Sequence, residues 1–189
     1  MTRQFYLNTL NLVLAAFIFT ALSSQAFAAS RHSFYGKTGV STFKKEDHSQ
    51  SGLYFQGGYN FNLTPFLALD LHYTRANSFN SDLSASSHDF TVEADGVGAG
   101  VKLEHYIGRV NLLAKTGVSA LRITEEYWDS ETLQFEKNKE SITSPYIEVG
   151  IGMMSPWTKN LNISLNYNYQ LANDVWDIST FSLNGHYSF

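Results

Sequence analysis

The sequence contains no cysteine, which excludes a disulfide framework and any thiolate metal site even in an oxidising compartment. It is short of charge: 16% of its residues are charged, against about a quarter in an average globular protein. It has no cationic excess, the formal charge being -4. Without a basic stripe to neutralise phosphates, nucleic acid is excluded as a partner. Beyond residue 30 no apolar period of 3.6 is sustained, so no sizeable helix is expected there. A membrane-length apolar run is missing too. The longest, "LNLVLAAFIFTAL" at 10–22, falls short of the ~20 residues a membrane helix needs, and Ser23, Ser24 and Gln25 follow it. Arg3 before this run and the small residues around Ala28 after it complete the pattern of a secretory signal peptide over 1–28. Residues 29–189 then form one domain, one unit more negative than the whole because Arg3 leaves with the leader.

Aromatic residues are abundant, with 14 Phe and 11 Tyr contributing to 15% of the chain; such a surface is not directed mainly at water. Period-two alternation recurs along the mature chain in eight runs closed by turn chemistry: 34–43, 53–61, 66–74, 96–103, 109–121, 145–153, 161–170 and 181–189. In the first, Phe34, Thr38 and Val40 oppose Tyr35, Lys37 and Ser41. In the third, Leu67, Leu69, Leu71 and Tyr73 oppose Ala68, Asp70, His72 and Thr74. In the seventh, Leu161, Ile163, Leu165, Tyr167 and Tyr169 alternate with polar residues. Connections near 62–65, 104–108 and 155–160 are short, and those near 44–51, 75–89, 125–141 and 172–177 are longer and polar, so the two kinds leave from opposite ends.

A soluble β-sandwich alternates in the same way. Against it, the polar face is rich in Gly, Asn and Ser, which suits a crowded polar interior better than a solvated surface carrying Lys and Glu. Aromatics gather at strand ends, with Phe34, Phe61, Phe66, Trp157, Tyr187 and Phe189 at the short-turn end and Tyr73, Tyr169 and Phe181 toward the other, as two interfacial girdles would. An even strand count with both termini at the short-turn end fits a bacterial outer-membrane barrel. Backbone groups in lipid are satisfied only if the sheet closes, so the eighth strand must pair with the first.

The chain resembles the OmpA/OmpX class of small eight-stranded outer-membrane barrels, which includes opacity-type surface antigens. The resemblance runs through "YGKTGV", "GYNFNLTPFLALDLHY", "GVGAGVKL" and "SPYIEVGIGM" and is most specific at the closing "FSLNGHYSF". It implies an all-β, antiparallel up-and-down transmembrane barrel in the cell outer membrane of a Gram-negative bacterium, in contact with membrane lipid and lipopolysaccharide. It implies also that Phe181, Leu183, Tyr187 and Phe189 form the assembly signal read by the barrel insertion machinery, with Gly185 its weak member.

With the apolar faces toward lipid, Lys37, Asp70, His72, Lys102, Lys115 and Glu148 point into a tube that side chains fill. Buried charges must pair; similar strand positions predict Lys115 with Glu148 and Asp70 with Lys102. The network is read as a polar plug, with a narrow ion channel as the alternative. His72 and Asp70 lack an evident third metal ligand, and no cofactor motif is present. A second alternative is a lipid A-modifying enzyme. His186 and Ser188 share the spacing H-x-S but lie at the periplasmic end, away from the lipid A leaflet. His88 with Ser87 and Asp89, and the pair Arg31 and His32, are read as a solvated loop and a loose terminus, so no catalytic residue is assigned. Residues 125–141 carry six acids against two lysines, with Tyr127, Trp128 and Phe135 interspersed. They are expected to extend strands five and six beyond the membrane as a hairpin and are the candidate site for a host or surface ligand. The function expected is envelope structure or adhesion.

Overall fold

The computed structural model describes residues 31–45, 48–79, 90–129, 134–158, 160–172 and 176–189. The expected leader and the group Ser87, His88 and Asp89 lie outside the described residues. Eight strands follow one another: β1 (His32–Lys45), β2 (His48–Asn62), β3 (Leu67–Ser78), β4 (Phe90–Ile107), β5 (Val110–Asp129), β6 (Gln134–Met154), β7 (Leu161–Ala172) and β8 (Trp176–Ser188). They form a closed antiparallel barrel in sequence order. Closure runs from Ser33 opposite Ser188 to Lys44 opposite Asp177, and Phe189 N–H donates to the His32 carbonyl at 3.1 Å. The Phe189 ring stacks on Phe34, with centroids 5.4 Å apart. No transmembrane strand of a closed sheet presents an unpaired edge.

Alternation sends one set of side chains inward and the other out. Phe34, Val40, Leu71, Val97, Ile147, Leu165 and Phe181 are exposed, while Lys37, Asp70, Asn166 and Ser182 are buried. An apolar belt right round the molecule is far larger than a soluble monomer exposes, so its surroundings are hydrocarbon. At the short-turn end β4 and β5 join through Gly108 and Arg109, and Gly108 has φ +65°, the left-handed conformation that two-residue hairpins require.

Strands run further than the alternating runs suggest. Expected connections at 44–51, 125–141 and 172–177 shrink because β1 continues to Lys45, β5 to Asp129, β6 starts at Gln134 and β7 reaches Ala172. Above the belt both surroundings change. The outward residues Lys44, Arg75, Asn77 and Arg122 are exposed and polar, while the inward ones pack as an apolar plug of Phe43, Tyr54, Val92, Leu121, Ile123, Ile142 and Ile178 with Ala76 and Ala94. Period two persists, but the sign of the alternation inverts, because water replaces lipid outside and the bore now needs a dry filling.

Glycine has two distinct uses here. Outward Gly57, Gly36 and Gly185 are neighbours across β2, β1 and β8, with open space beside each, so they leave a shallow dent in the belt. Inward Gly117 is tightly enclosed: a Cβ there would lie 2.2 Å from the Ala99 carbonyl oxygen and 2.9 Å from the Tyr146 ring. Gly117→Ala is therefore expected to abolish the compact, heat-modifiable band on SDS gels, while Gly57→Ala folds like the parent.

Candidate functional site

The lumen is where the chain concentrates chemistry. Lys37, Asp70, His72, Lys102, Lys115 and Glu148 all project inward and are buried. Their pairing differs from the expected one. Lys115 and Glu148 sit opposite each other in the β5–β6 ladder, yet the Lys115 ammonium donates to Asp70 Oδ1 at 2.8 Å. Glu148 is held instead by Lys37 from across the bore, at 2.7 and 2.5 Å, and accepts a further bond from Asn166 Nδ2 at 2.8 Å. Lys102 turns away from Asp70 and donates to Glu104 Oε2, two residues along its own strand, at 2.7 Å. Two causes account for the exchange. In so narrow a tube a long side chain reaches the opposite wall as readily as its neighbour, and Lys102 and Lys115 are themselves opposite one another, so like charge drives their head groups to different carboxylates. Glu104, which the sequence places in a short connection, belongs to the network. The three lysines thus meet three carboxylates, and Tyr35 is stacked beneath two of the ammoniums, Lys115 at 3.8 Å and Lys37 at 5.0 Å from its ring centroid.

One arrangement has the outline of a hydrolytic triad. His72 Nδ1 bonds Asp70 Oδ2 at 2.8 Å, and Ser119 Oγ lies 3.4 Å from His72 Nε2. The three meet because Gly98 stands between His72 and Ser119 in the register of β3, β4 and β5; a Cβ at Gly98 would come within 2.3 Å of His72 and 2.6 Å of Ser119. The geometry does not support nucleophilic attack. Ser119 also accepts from Gln170 Nε2 at 3.4 Å, and Asp70 is already committed to Lys115. All three residues are buried in the bore, where no substrate carbonyl can approach. Among the described residues no group of three His, Asp or Glu is placed to hold a metal ion.

The profile of the outer membrane protein beta-barrel domain matches residues 12–189. The chain belongs to this family. Its place is therefore the cell outer membrane, with the short turns of the barrel on the periplasmic side. No curated protein matches the sequence significantly. Among solved structures, Neisserial surface protein A superposes with a TM-score of 0.65 at 15% identity over 86% of this chain and 100% of that one. Ail, the attachment invasion locus protein of Yersinia pestis, gives 0.60 at 16% identity over 85% and 99%. A second structure of Ail, in complex with the heparin analogue sucrose octasulfate, gives 0.55 at 20% identity over 84% and 98%. At these identities the likeness is one of fold.

In this outer-membrane barrel Phe181, Leu183, Tyr187 and Phe189 all lie on the outer face, exposed to the membrane. The aromatic girdle is populated at the periplasmic end by Phe34, Tyr187, Phe189 and Trp157 and at the other by Tyr73 and Phe181, all exposed. Tyr127, Trp128 and Phe135 belong to the paired β5–β6 hairpin, Trp128 opposite Phe135; their side chains lie outside the described residues. Below them Lys137 pairs with Glu126 on the outer surface, and hydrogen bonding to that carboxylate raises the Lys137 pKa.

The exchange of partners in the lumen is directly measurable. In double-mutant cycles followed by denaturant unfolding in detergent, Lys37→Met and Glu148→Gln should couple by up to ~3 kcal/mol, and Lys115→Met and Glu148→Gln by less than ~0.5 kcal/mol. Glu148→Ala alone, which strands the buried Lys37 ammonium, should destabilise the barrel by about 3–5 kcal/mol.

Proposed function

We propose that this outer-membrane barrel is a surface-exposed envelope protein that attaches to an external partner through its β5–β6 hairpin, without catalysis. One observation carries this reading. The β5–β6 ladder continues upward to Asp129 opposite Gln134, whereas the β6–β7 ladder begins only at Tyr146 opposite Gln170. The upper part of β6, from Gln134 to Thr143, therefore stands clear of β7 among the described residues, and at ~3.4 Å per residue this projects a hairpin well past the belt. An exposed strand edge is a template for an incoming extended segment.

The chemistry of the hairpin narrows the partner. Glu125, Glu126, Asp129, Glu131, Glu136 and Glu140 outnumber Lys137 and Lys139, so a polysulfated ligand of the kind complexed with Ail would meet repulsion here. A neutral or basic protein surface fits better. Residues 1–28 serve in this reading as the export leader, and Phe181, Leu183, Tyr187 and Phe189 as the signal for the insertion machinery, presented on the strand that closes the barrel.

The test is a chain in which residues 126–137 are replaced by an Asn-Gly turn, joining Glu125 to Asn138, which already face each other. Insertion and the heat-modifiable band should be retained, while attachment of expressing cells to host-cell or matrix-protein surfaces falls to the level of cells lacking the protein. Undiminished attachment would refute the hairpin as the binding element, and loss of insertion would refute its placement outside the membrane.

A further inference from the structure

The two ends of the barrel carry their surface charge differently. Toward the outside, cations are matched on the surface itself: Arg75 pairs with Glu93 and Lys137 with Glu126. At the periplasmic end the stretches 31–34, 60–66, 104–110, 154–158, 160–162 and 186–189 hold a single acidic side chain, Glu104, and it is bound to Lys102. Arg31 and Arg109 are both exposed at this end, and neither guanidinium forms an ion pair among the described residues. The two arginines stand in matching positions. The Arg31 carbonyl accepts Asn62 N–H at 2.9 Å, and the Arg109 carbonyl accepts Met154 N–H at 3.0 Å, so each is fastened to a neighbouring strand where that strand enters its turn. Asn62 opens the β2–β3 turn, in which Leu63 is exposed, and Met154 opens the β6–β7 turn, in which Trp157 is 86% exposed. An unpaired cation beside an exposed apolar anchor therefore occurs twice, at separate places on the rim.

Depth and charge together identify the partner. Exposed apolar side chains run to the very tips of these turns: Ile107 and Val110 bracket Gly108 and Arg109, and Leu63 and Trp157 lie within their own turns. Such tips rest in the membrane interface, where an indole is at home, and not out in free water. A cation at that depth stands level with lipid phosphates, and a planar guanidinium offers a phosphate two parallel donors. A zwitterionic lipid brings a cation of its own to its phosphate, whereas an anionic one leaves the phosphate to the arginine. A soluble anionic polymer would match the charge but would leave Leu63, Ile107 and Trp157 in water. We propose that the periplasmic rim is a binding collar for anionic phospholipid. Arg31 and Arg109 each hold a lipid phosphate, with Leu63 and Trp157 seated among the acyl chains beside them.

The chain has three tryptophans, so Trp128→Phe with Trp176→Phe leaves Trp157 as a reporter on the rim beside Arg109. The full chain is folded into phosphatidylcholine vesicles containing a minor share of either phosphatidylglycerol or phosphatidylcholine brominated on its acyl chains, and quenching of Trp157 reads which lipid gathers there. Phosphatidylglycerol should be enriched about fivefold at Trp157, the preference that one interfacial arginine supplies. Arg109→Gln should bring the two lipids to parity, and Arg31→Gln, whose turn lies elsewhere on the rim, should leave the Trp157 preference intact. Raising the salt to ~1 M, where the Debye length is about 3 Å, should weaken it. If the double Phe variant gives no heat-modifiable barrel, spin-labelled phosphatidylglycerol and phosphatidylcholine are compared on the parent and on the Arg31→Gln, Arg109→Gln variant; the parent should select the anionic lipid and the variant should not. Equal quenching by the two lipids, or a preference that survives Arg109→Gln, would overturn the collar. So would arginine-dependent binding of isolated cell-wall polymer in the absence of any lipid preference, which would assign the rim to the wall instead.

Discussion

Every feature of this molecule follows from one constraint: a peptide group in hydrocarbon has no solvent to bond with and must find its partner in the chain itself. Eight strands meet that demand only when β8 returns to β1. The circle so drawn is narrow, and its narrowness sets the rules for everything inside. Side chains of the inner face are forced against each other across the bore, and each large ring needs a neighbour that gives way. Gly58 lies against the ring of Tyr35, Gly98 against His72, and Gly100 and Gly117 against Tyr146. The glycine content of the polar face is thus a consequence of the circumference.

Three layers then stack along the axis. Amides and the Lys102–Glu104 pair lie at the periplasmic end, the Lys37–Glu148 and Lys115–Asp70 pairs in the middle, and an apolar filling outside the membrane. The middle layer is charge-balanced, and breaking one of its pairs leaves an ion with nowhere to go. Its residues hold the wall of the barrel at a fixed shape, which lets the β5–β6 hairpin stand on a rigid base. A rigid base of this kind would limit the freedom that the hairpin loses on engagement under the proposed function.

The strand count and the face of every strand within the belt were readable from period two, and the closure by the last strand from the demand that lipid makes on backbone groups. That is because lipid imposes its preference on every second residue, and Leu67, Leu69, Leu71 and Tyr73 record it without interruption. The pairing of the buried ions was not readable. Sequence position reports which strand carries Lys115, but not that its head group crosses to Asp70 while Glu148 receives Lys37 from the far wall. Glu104 was overlooked because its neighbours look like a turn, although β4 continues to Ile107. The meeting of Ser119 with His72 depends on a register that places Gly98 between them, and no local pattern announces it. The plug escaped for a different reason: Phe43, Val92 and Ile123 fall on what is elsewhere the polar side, and only the change of surroundings makes them core.

That inversion has a further consequence. The places where it occurs, between Tyr73 and Arg75 on β3 and between Ala120 and Arg122 on β5, form a ring that records how deep the barrel floats. Moving the switch by one outward residue on every strand would lift or sink the whole body by roughly 5 Å, from the strand rise and tilt. The order of letters along these strands is therefore also a mark of where the outer boundary of the bilayer lies, written into the wall of the barrel itself.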